Sequence, residues 1–342
     1  MTRIAVLGAG ANGASIGADL IRAGEDVTLI EQWPAHVERM RADGLRIITP
    51  DEEYRVQPDV RHFCQVAELR GRFDVVLMLV KAYDAAWAAR LIEPYLADDG
   101  ILVGVQNGMT AGVIAEAVGR TRTLGCVIEC SATMTDPGVV HRHTPVSRSW
   151  FAVGATDGGP VDRIPELVRI LGLSGTVDVF DDILAAKWMK LVSNSTLLVT
   201  SAILGLPMID ALQQPGFREV MVAAGNEAMR VGAAEGHPVL PIFGLSSDEV
   251  SDPDRVVDIM TNKLFASFVV PGATTTVLQD WEKGRHSEVD DLNGHVIARG
   301  AVHGIPTPVN SRVVELARLI EGGHLSPAAS HLPALREPLA TV

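Results

Sequence analysis

The sequence predicts an α/β fold in two parts. An open parallel sheet flanked by helices is expected over residues 1–179, an all-helical domain over residues 180–325, and a loosely ordered tail over 326–342. Three observations predict it. First, a short apolar, partly β-branched run, Ile4-Ala5-Val6-Leu7, precedes glycines at 8, 10 and 13, a helical pattern and a second apolar run, which reads as strand, turn, helix, strand. Second, buried-strand runs recur at Asp74 to Val80 and Ile101 to Gly108, and polar residues, Lys81 and Asn107, stand at their ends. Third, from Ile183 onward the apolar period becomes helical, starting with "ILAAKWMKLVSNSTLLVTSAIL".

The first unit can be justified residue by residue. Gly8 turns the chain after the strand, Gly10 lets backbone approach a ligand, and Gly13 lets the next helix lie close on the strand. That helix, Ala11 to Ala23, opens with Ala11-Asn12-Gly13, and its first-turn N–H groups have no partners within the helix, so they face any anion placed there. Gly24 stops it, and Val27-Thr28-Leu29-Ile30 brings Glu31 to the carboxyl end of the second strand, where a ribose hydroxyl would lie. Together these features predict a Rossmann-type dinucleotide-binding domain. A carboxylate accepts from a ribose 2'-hydroxyl but repels a 2'-phosphate, and the next residue is Gln32 rather than arginine, so NAD is expected over NADP.

The remaining elements follow in order. A helix is expected near Pro34 to Asp43, strands around Leu45 to Thr49 and Tyr54 to Val60, and further strands at Leu124 to Cys130, Val139 to His143 and Trp150 to Gly154. A helix at Pro160 to Leu171 closes the first part. The second part has helices near Pro215 to Glu235, Asp254 to Phe268 and Ser287 to Val302, and the boundary falls near Val179 to Asp182. In an open parallel sheet ligands bind outside the carboxyl ends of the strands, which makes Lys81 and Asn107 candidates for a site.

Bulk composition narrows the class. With 342 residues, 47% apolar and 21% charged, the chain matches an ordinary globular enzyme of two domains. A net charge of −13 argues against nucleic acid and anionic membrane surfaces as partners. Cys64, Cys126 and Cys130 form no paired framework, the first strand starts at Arg3, and no apolar run approaches about 20 residues, so a cytoplasmic protein without a signal peptide or membrane span is expected. His141 and His143 share a strand face without an acid or cysteine at ligand spacing, and no metal site is expected.

In the second part Lys190 lies among Trp188, Met189, Leu191 and Val192, with Asn194 one turn on and on the same face. A lysine in such company either snorkels to solvent, as Lys187 is expected to do, or is held in a cleft, where a desolvated ammonium becomes a usable proton donor. Ser287 reads as a helix cap that places Glu288 in the first turn, kept ionised by the helix dipole. Thr276 starts another helix that ends at Gly284.

"VKAYD", "VQNGM", "WMKLVSN" and "VLQDWEKGRHSEVDDLNG" followed by "AVHGIPTP", together with the glycine loop, resemble the ketopantoate reductase (2-dehydropantoate 2-reductase) family, from Ile4 to about Glu321. The resemblance implies a Rossmann domain, a helical domain and an active site between them. It implies Lys190 as general acid, Asn107 and Lys81 beside the nicotinamide, and Asn194, Thr276 and Glu288 against substrate or cofactor ribose. Thr276 keeps the hydroxyl of the family's usual serine. Family members commonly carry an arginine after the second strand for the 2'-phosphate, where this chain has Glu31-Gln32. Leu198 and Met208 stand where the family has asparagines that look like partners of the pantoyl hydroxyl. The expectation is therefore an NAD-dependent oxidoreductase of the ketopantoate reductase type, acting on a small keto or hydroxy acid with a more apolar substituent than ketopantoate and assembled as a homodimer. The rivals are a genuine 2-dehydropantoate 2-reductase using NADH or NADPH, and a dinucleotide sensor without turnover.

Overall fold

The computed structural model describes residues 1–340. Contacts divide the chain into two compact units, Met1–Lys187 and Trp188–Val342.

The first unit begins with β1 (Arg3–Leu7), α1 (Ala11–Arg22), β2 (Asp26–Glu31) and α2 (Pro34–Asp43), as the glycine pattern predicts. It continues with β3 (Leu45–Ile48), β4 (Glu53–Val56), β5 (Asp59–His62), β6 (Phe73–Met78), α3 (Ala85–Ile92), β7 (Leu96–Gly104), α4 (Ala111–Val118) and β8 (Thr123–Glu129). β9 (Ala132–Thr133), β10 (Val139–Arg142), β11 (Trp150–Ala155), α5 (Ile164–Leu171) and β12 (Thr176–Val179) complete it. Eight strands form one sheet in the order β12-β11-β8-β7-β6-β1-β2-β5, and four form a small sheet in the order β4-β3-β10-β9. The large sheet is parallel except where β11 runs against β8. Its central strands are buried on both faces, which is why they read as continuous apolar runs.

A buried polar cluster ties the small sheet to α1. Arg142 of β10 pairs with Asp19 of α1, and Asp19 also accepts from Tyr54 Oη at 2.6 Å and Ser174 Oγ at 2.5 Å. Every one of these groups has its partner, so the charges are tolerated in the core and orient α1.

The second unit is helical throughout. α6 (Ile183–Ile203) starts in the first unit and enters the second, followed by α7 (Met208–Leu212), α8 (Phe217–Ala234), α9 (Pro253–Ser267), α10 (Thr276–Glu282), α11 (Asn293–His303), α12 (Pro308–Glu321) and α13 (Leu332–Arg336). α8 packs closely on α6: Trp188 Nε1 donates to the Ala228 carbonyl at 3.0 Å, and a Cβ at Gly232 would lie 2.1 Å from the Trp188 indole nitrogen.

Four expectations need correction. The strand expected around Tyr54 to Val60 is two strands in different sheets, because Pro58 between them has no N–H to continue a ladder. The unit boundary lies inside α6 rather than at residue 179, because the start of α6 packs on the large sheet, where a Cβ on Gly125 or Gly154 would collide with Ile183. Residues 288–292 are turns and α11 starts only at Asn293, so Ser287 caps no helix. The tail is ordered over its described residues, 326–340: Ala328 N–H bonds the Ile203 carbonyl at 2.9 Å, Leu335 is fully buried, and Pro333 sits in the first turn of α13, where its missing N–H costs nothing.

Candidate active site

In the first unit the candidate residues of the glycine turn, Lys81 and Asn107 follow the carboxyl ends of β1, β6 and β7, which are neighbours in the sheet. Their ends are stitched to one another, Leu79 N–H to the Leu7 carbonyl at 2.7 Å and Val105 N–H to the Met78 carbonyl at 3.0 Å. Gly8 has φ +94, and a Cβ there would stand 2.6 Å from the Val80 nitrogen, so only glycine fits. A Cβ on Gly13 would lie 2.0 Å from the Gly8 carbonyl oxygen, which is how α1 comes to sit so close behind the turn.

Gly10 is different: it is the N-cap of α1, offers no side-chain cap, and nothing in the protein lies within 4 Å of the place its Cβ would occupy. The first-turn N–H groups of a helix have no partners within it, and Asn12 Oδ1 beside them is buried without a partner. These residues fit a dinucleotide pyrophosphate. Glu31 ends β2, is 5% exposed and accepts from Trp33 N–H at 2.9 Å, while Gln32 is exposed. Lys81 and Asn107 are half-buried just beyond β6 and β7, and Gly108 follows with φ +78.

His36 went unnoticed in the sequence. It is fully buried, its Nε2 donates to the Ala9 carbonyl at 3.1 Å, and its Nδ1 accepts from Gly138 N–H at 2.8 Å. Burial pushes its pKa down to about 4, which keeps it neutral and able to do both. The imidazole therefore pins the glycine loop from below.

In the second unit α6 presents Lys190, Asn194 and Leu198 at successive four-residue steps, one stripe of a helix. Lys190 is half-buried, with Nζ 5.2 Å from the centroid of the Phe243 ring. Phe243 itself has φ 57, an unusual backbone for a bulky residue. Thr275 caps α10 by accepting from Leu278 N–H and donates its own hydroxyl to the Leu198 carbonyl at 2.9 Å; Met208 N–H bonds the Ala273 carbonyl at 2.9 Å. Those two bonds tie the segment that leads into α10 to the backbone at Leu198 and at Met208. Asn293 Nδ2 donates to the Ser195 carbonyl at 3.0 Å, which sets the 288–292 turn against α6 beside Asn194. Glu288, 4% exposed, lies in that turn rather than at a helix start, so its environment owes nothing to a helix dipole.

Two polar atoms in this unit, Asn194 Nδ2 and Thr276 Oγ1, are buried without a protein partner. Buried polar groups are ordinarily satisfied, so these orphaned donors fit an outside ligand that carries an acceptor, and Leu198, one helical step from Asn194, is half-buried. Lys187, expected to reach solvent, is instead 3% exposed and donates to the carbonyls of Gln106 and Cys126, each at 3.1 Å. Among the described residues no cluster of metal-binding side chains occurs, and no helix is long and apolar enough to cross a membrane.

The family model described as ketopantoate reductase PanE/ApbA matches residues 4–157, and its C-terminal counterpart matches residues 182–321. A 2-dehydropantoate 2-reductase of Halobacterium salinarum is 29% identical over 324 residues, covering 93% of this chain and 99% of that one. The crystal structure of a PanE/ApbA family ketopantoate reductase from Ralstonia eutropha JMP134 superposes with a TM-score of 0.79 at 29% identity, covering 94% and 99% of the two chains. D-mandelate dehydrogenase, in a ternary structure with NADH and anilino(oxo)acetate, shares the fold with a TM-score of 0.83 at 21% identity, again over 94% and 99%. Relatives of this kind are oxidoreductases acting on a CH–OH group. By its sequence over residues 4–157 and 182–321 and by its α/β and helical units, this chain belongs to the ketopantoate reductase family.

Proposed function

We propose that the protein is an NAD-dependent oxidoreductase that interconverts a small keto acid and its hydroxy acid, with a substituent more apolar than that of ketopantoate. The observation that carries this reading is the pair of buried, unpartnered donors Asn194 Nδ2 and Thr276 Oγ1, with half-buried Leu198 one step along the Asn194 stripe of α6. The hydrocarbon side chains of Leu198 and Met208 would leave a substrate hydroxyl without a partner, at a cost of about 1–3 kcal/mol, whereas each methylene they cover contributes about 0.8 kcal/mol. D-mandelate dehydrogenase, which shares the fold and was solved with NADH and anilino(oxo)acetate, supports the reading.

Gly8, Gly10, Ala11, Asn12 and Gly13 would hold the pyrophosphate and Glu31 the adenosine ribose, with Lys81 and Asn107 toward the nicotinamide. A bound nicotinamide supplies or accepts the hydride. Lys190 then gives its Nζ proton to the carbonyl oxygen on reduction and recovers it on oxidation. Asn194 Nδ2 donates to that same oxygen, Thr276 Oγ1 donates to the substrate carboxylate, and Glu288 accepts from a hydroxyl of substrate or ribose.

The reading is tested by assaying ketopantoate, trimethylpyruvate and phenylglyoxylate with NADH and NADPH, and their hydroxy acids with NAD and NADP. The expected result is higher kcat/KM with NADH and with the substrates that lack the hydroxyl. Ketopantoate as the best substrate would make the protein a pantoate enzyme instead.

A further inference from the structure

β7 and β8 pair in parallel only as far as Gly104 and Gly125. One residue further the ladder ends, β8 continues against β11 through Cys126 and Val153, and the chain beyond β7 turns into the Val105 to Thr110 loop. Where the two strands part, the carbonyls of Gln106 and Cys126 face the Lys187 amine, which donates to both.

Little else ties this loop on that side. Val105 N–H holds it to β6, but Gln106 Oε1, Gln106 Nε2 and Thr110 Oγ1 are all buried without partners. An ammonium with two neutral carbonyl acceptors is an expensive thing to bury, and replacement by an apolar side chain would relieve that desolvation. Its presence at the strand split therefore calls for a task other than filling space.

We propose that Lys187 is a positioning residue: its amine takes the place of the missing ladder bonds between β7 and β8 and fixes the loop that carries Asn107. The part of this statement that concerns catalysis rests on the proposed place of Asn107 beside the nicotinamide. A cationic donor on the Gln106 carbonyl also polarises the peptide that leads into Asn107, strengthening the Asn107 N–H as a donor. Burial lowers the Lys187 pKa to about 8, so this influence fades as pH rises through that value. The ionisable group facing the amine is the Cys126 thiol on β8, pushed up to about 12 by burial and therefore neutral over the same range, while the β7 loop presents only the amide of Gln106.

The test compares wild type with Lys187→Met, which keeps the length but has no donor, and Lys187→Gln, which keeps one. Hydrogen exchange of the 105–110 amides in the cofactor-free protein should speed up about tenfold in Lys187→Met, with partial recovery in Lys187→Gln, while the β6 and β1 amides stay protected. With cofactor and substrate, kcat should fall about tenfold with KM changed far less, and an alkaline limb near pH 8 in the wild-type profile should be missing in Lys187→Met. Unchanged exchange in the loop would overturn the positioning role whatever the activity. Faster exchange with unchanged kcat would instead retain the anchoring of the loop and overturn its link to catalysis, and with it the place of Asn107. Should Lys187→Met fail to fold, the wild-type protein decides: the Asn107 amide shift, followed by NMR from pH 7 to 10, should titrate with the Lys187 side chain, and an Asn107 amide that ignores it would overturn the proposal.

Discussion

Gly10 and Gly13 belong to one sequence pattern, yet the structure predicts that alanine at the two positions has opposite consequences. At Gly10 a methyl group meets nothing within 4 Å and the backbone φ of −64° suits alanine. Alanine is a poorer N-cap than glycine, by about 0.5–1 kcal/mol, but it also stiffens the unfolded chain, by about 0.4–1 kcal/mol. Gly10→Ala should therefore melt within about 2–4 °C of wild type. The same methyl fills the space through which a pyrophosphate would reach the N–H groups of α1, and each charge-assisted hydrogen bond lost is worth about 1.5–3 kcal/mol. NADH affinity should drop by about one to two orders of magnitude. At Gly13 the methyl carbon would lie 2.0 Å from the Gly8 carbonyl oxygen, a backbone atom that cannot step aside alone. Overpacking of that kind costs about 1–3 kcal/mol, so Gly13→Ala should melt several degrees lower and bind NADH poorly as well. Differential scanning fluorimetry and NADH fluorescence titration measure both effects. Tight NADH binding by Gly10→Ala would refute the reasoning, because the open space at Gly10 would then not be where the cofactor approaches.

Three further outcomes are expected. Glu31→Ala combined with Gln32→Arg should move cofactor preference from NADH toward NADPH in fluorescence titrations, since it removes a repulsion and adds a phosphate partner; an unmoved ratio would show that other residues choose the cofactor. Lys190→Ala should lower kcat by about a hundredfold or more with little change in NADH affinity, whereas near-normal turnover would remove Lys190 from the role of acid. His36 has a folded pKa of about 4 against an unfolded value near 6.5, so the unfolded chain binds the extra proton first. Its contribution to stability is complete above about pH 6.5 and declines toward pH 4, by about 3 kcal/mol in all. Urea unfolding of wild type and His36→Gln across that range should show the slope in wild type only, and equal slopes would place the acid sensitivity elsewhere.

The first unit was legible in the sequence because its signals are local. The glycines, the strand that precedes them and Glu31 lie within 31 residues, and each has a geometric reason that holds without knowledge of the rest. The stripe of Lys190, Asn194 and Leu198 was legible for the same reason, through helix periodicity. His36 and Lys187 were not, because what gives each its task is distant: the Ala9 and Gly138 groups around His36, and the Gln106 and Cys126 carbonyls that receive Lys187. A lysine among apolar residues reads as snorkelling unless the strand split that it fills is already known. The helix start at Ser287 was misplaced for a related reason, since the serine that looks like a cap spends its hydroxyl and its N–H on Glu321 of α12. The prolines of the tail read as breakers, although Pro333 opens a short helix.

The substrate assignment is the central claim, and a reciprocal specificity measurement tests it most directly. Ketopantoate and trimethylpyruvate differ only by a hydroxyl, so the ratio of their kcat/KM values with NADH isolates how the Leu198 and Met208 surface treats that group. Wild type should prefer trimethylpyruvate, and Leu198→Asn with Met208→Asn should swing the ratio toward ketopantoate by about tenfold or more, as two supplied hydrogen-bond partners require. A wild-type preference for ketopantoate, left unchanged by the two asparagines, would contradict the assignment.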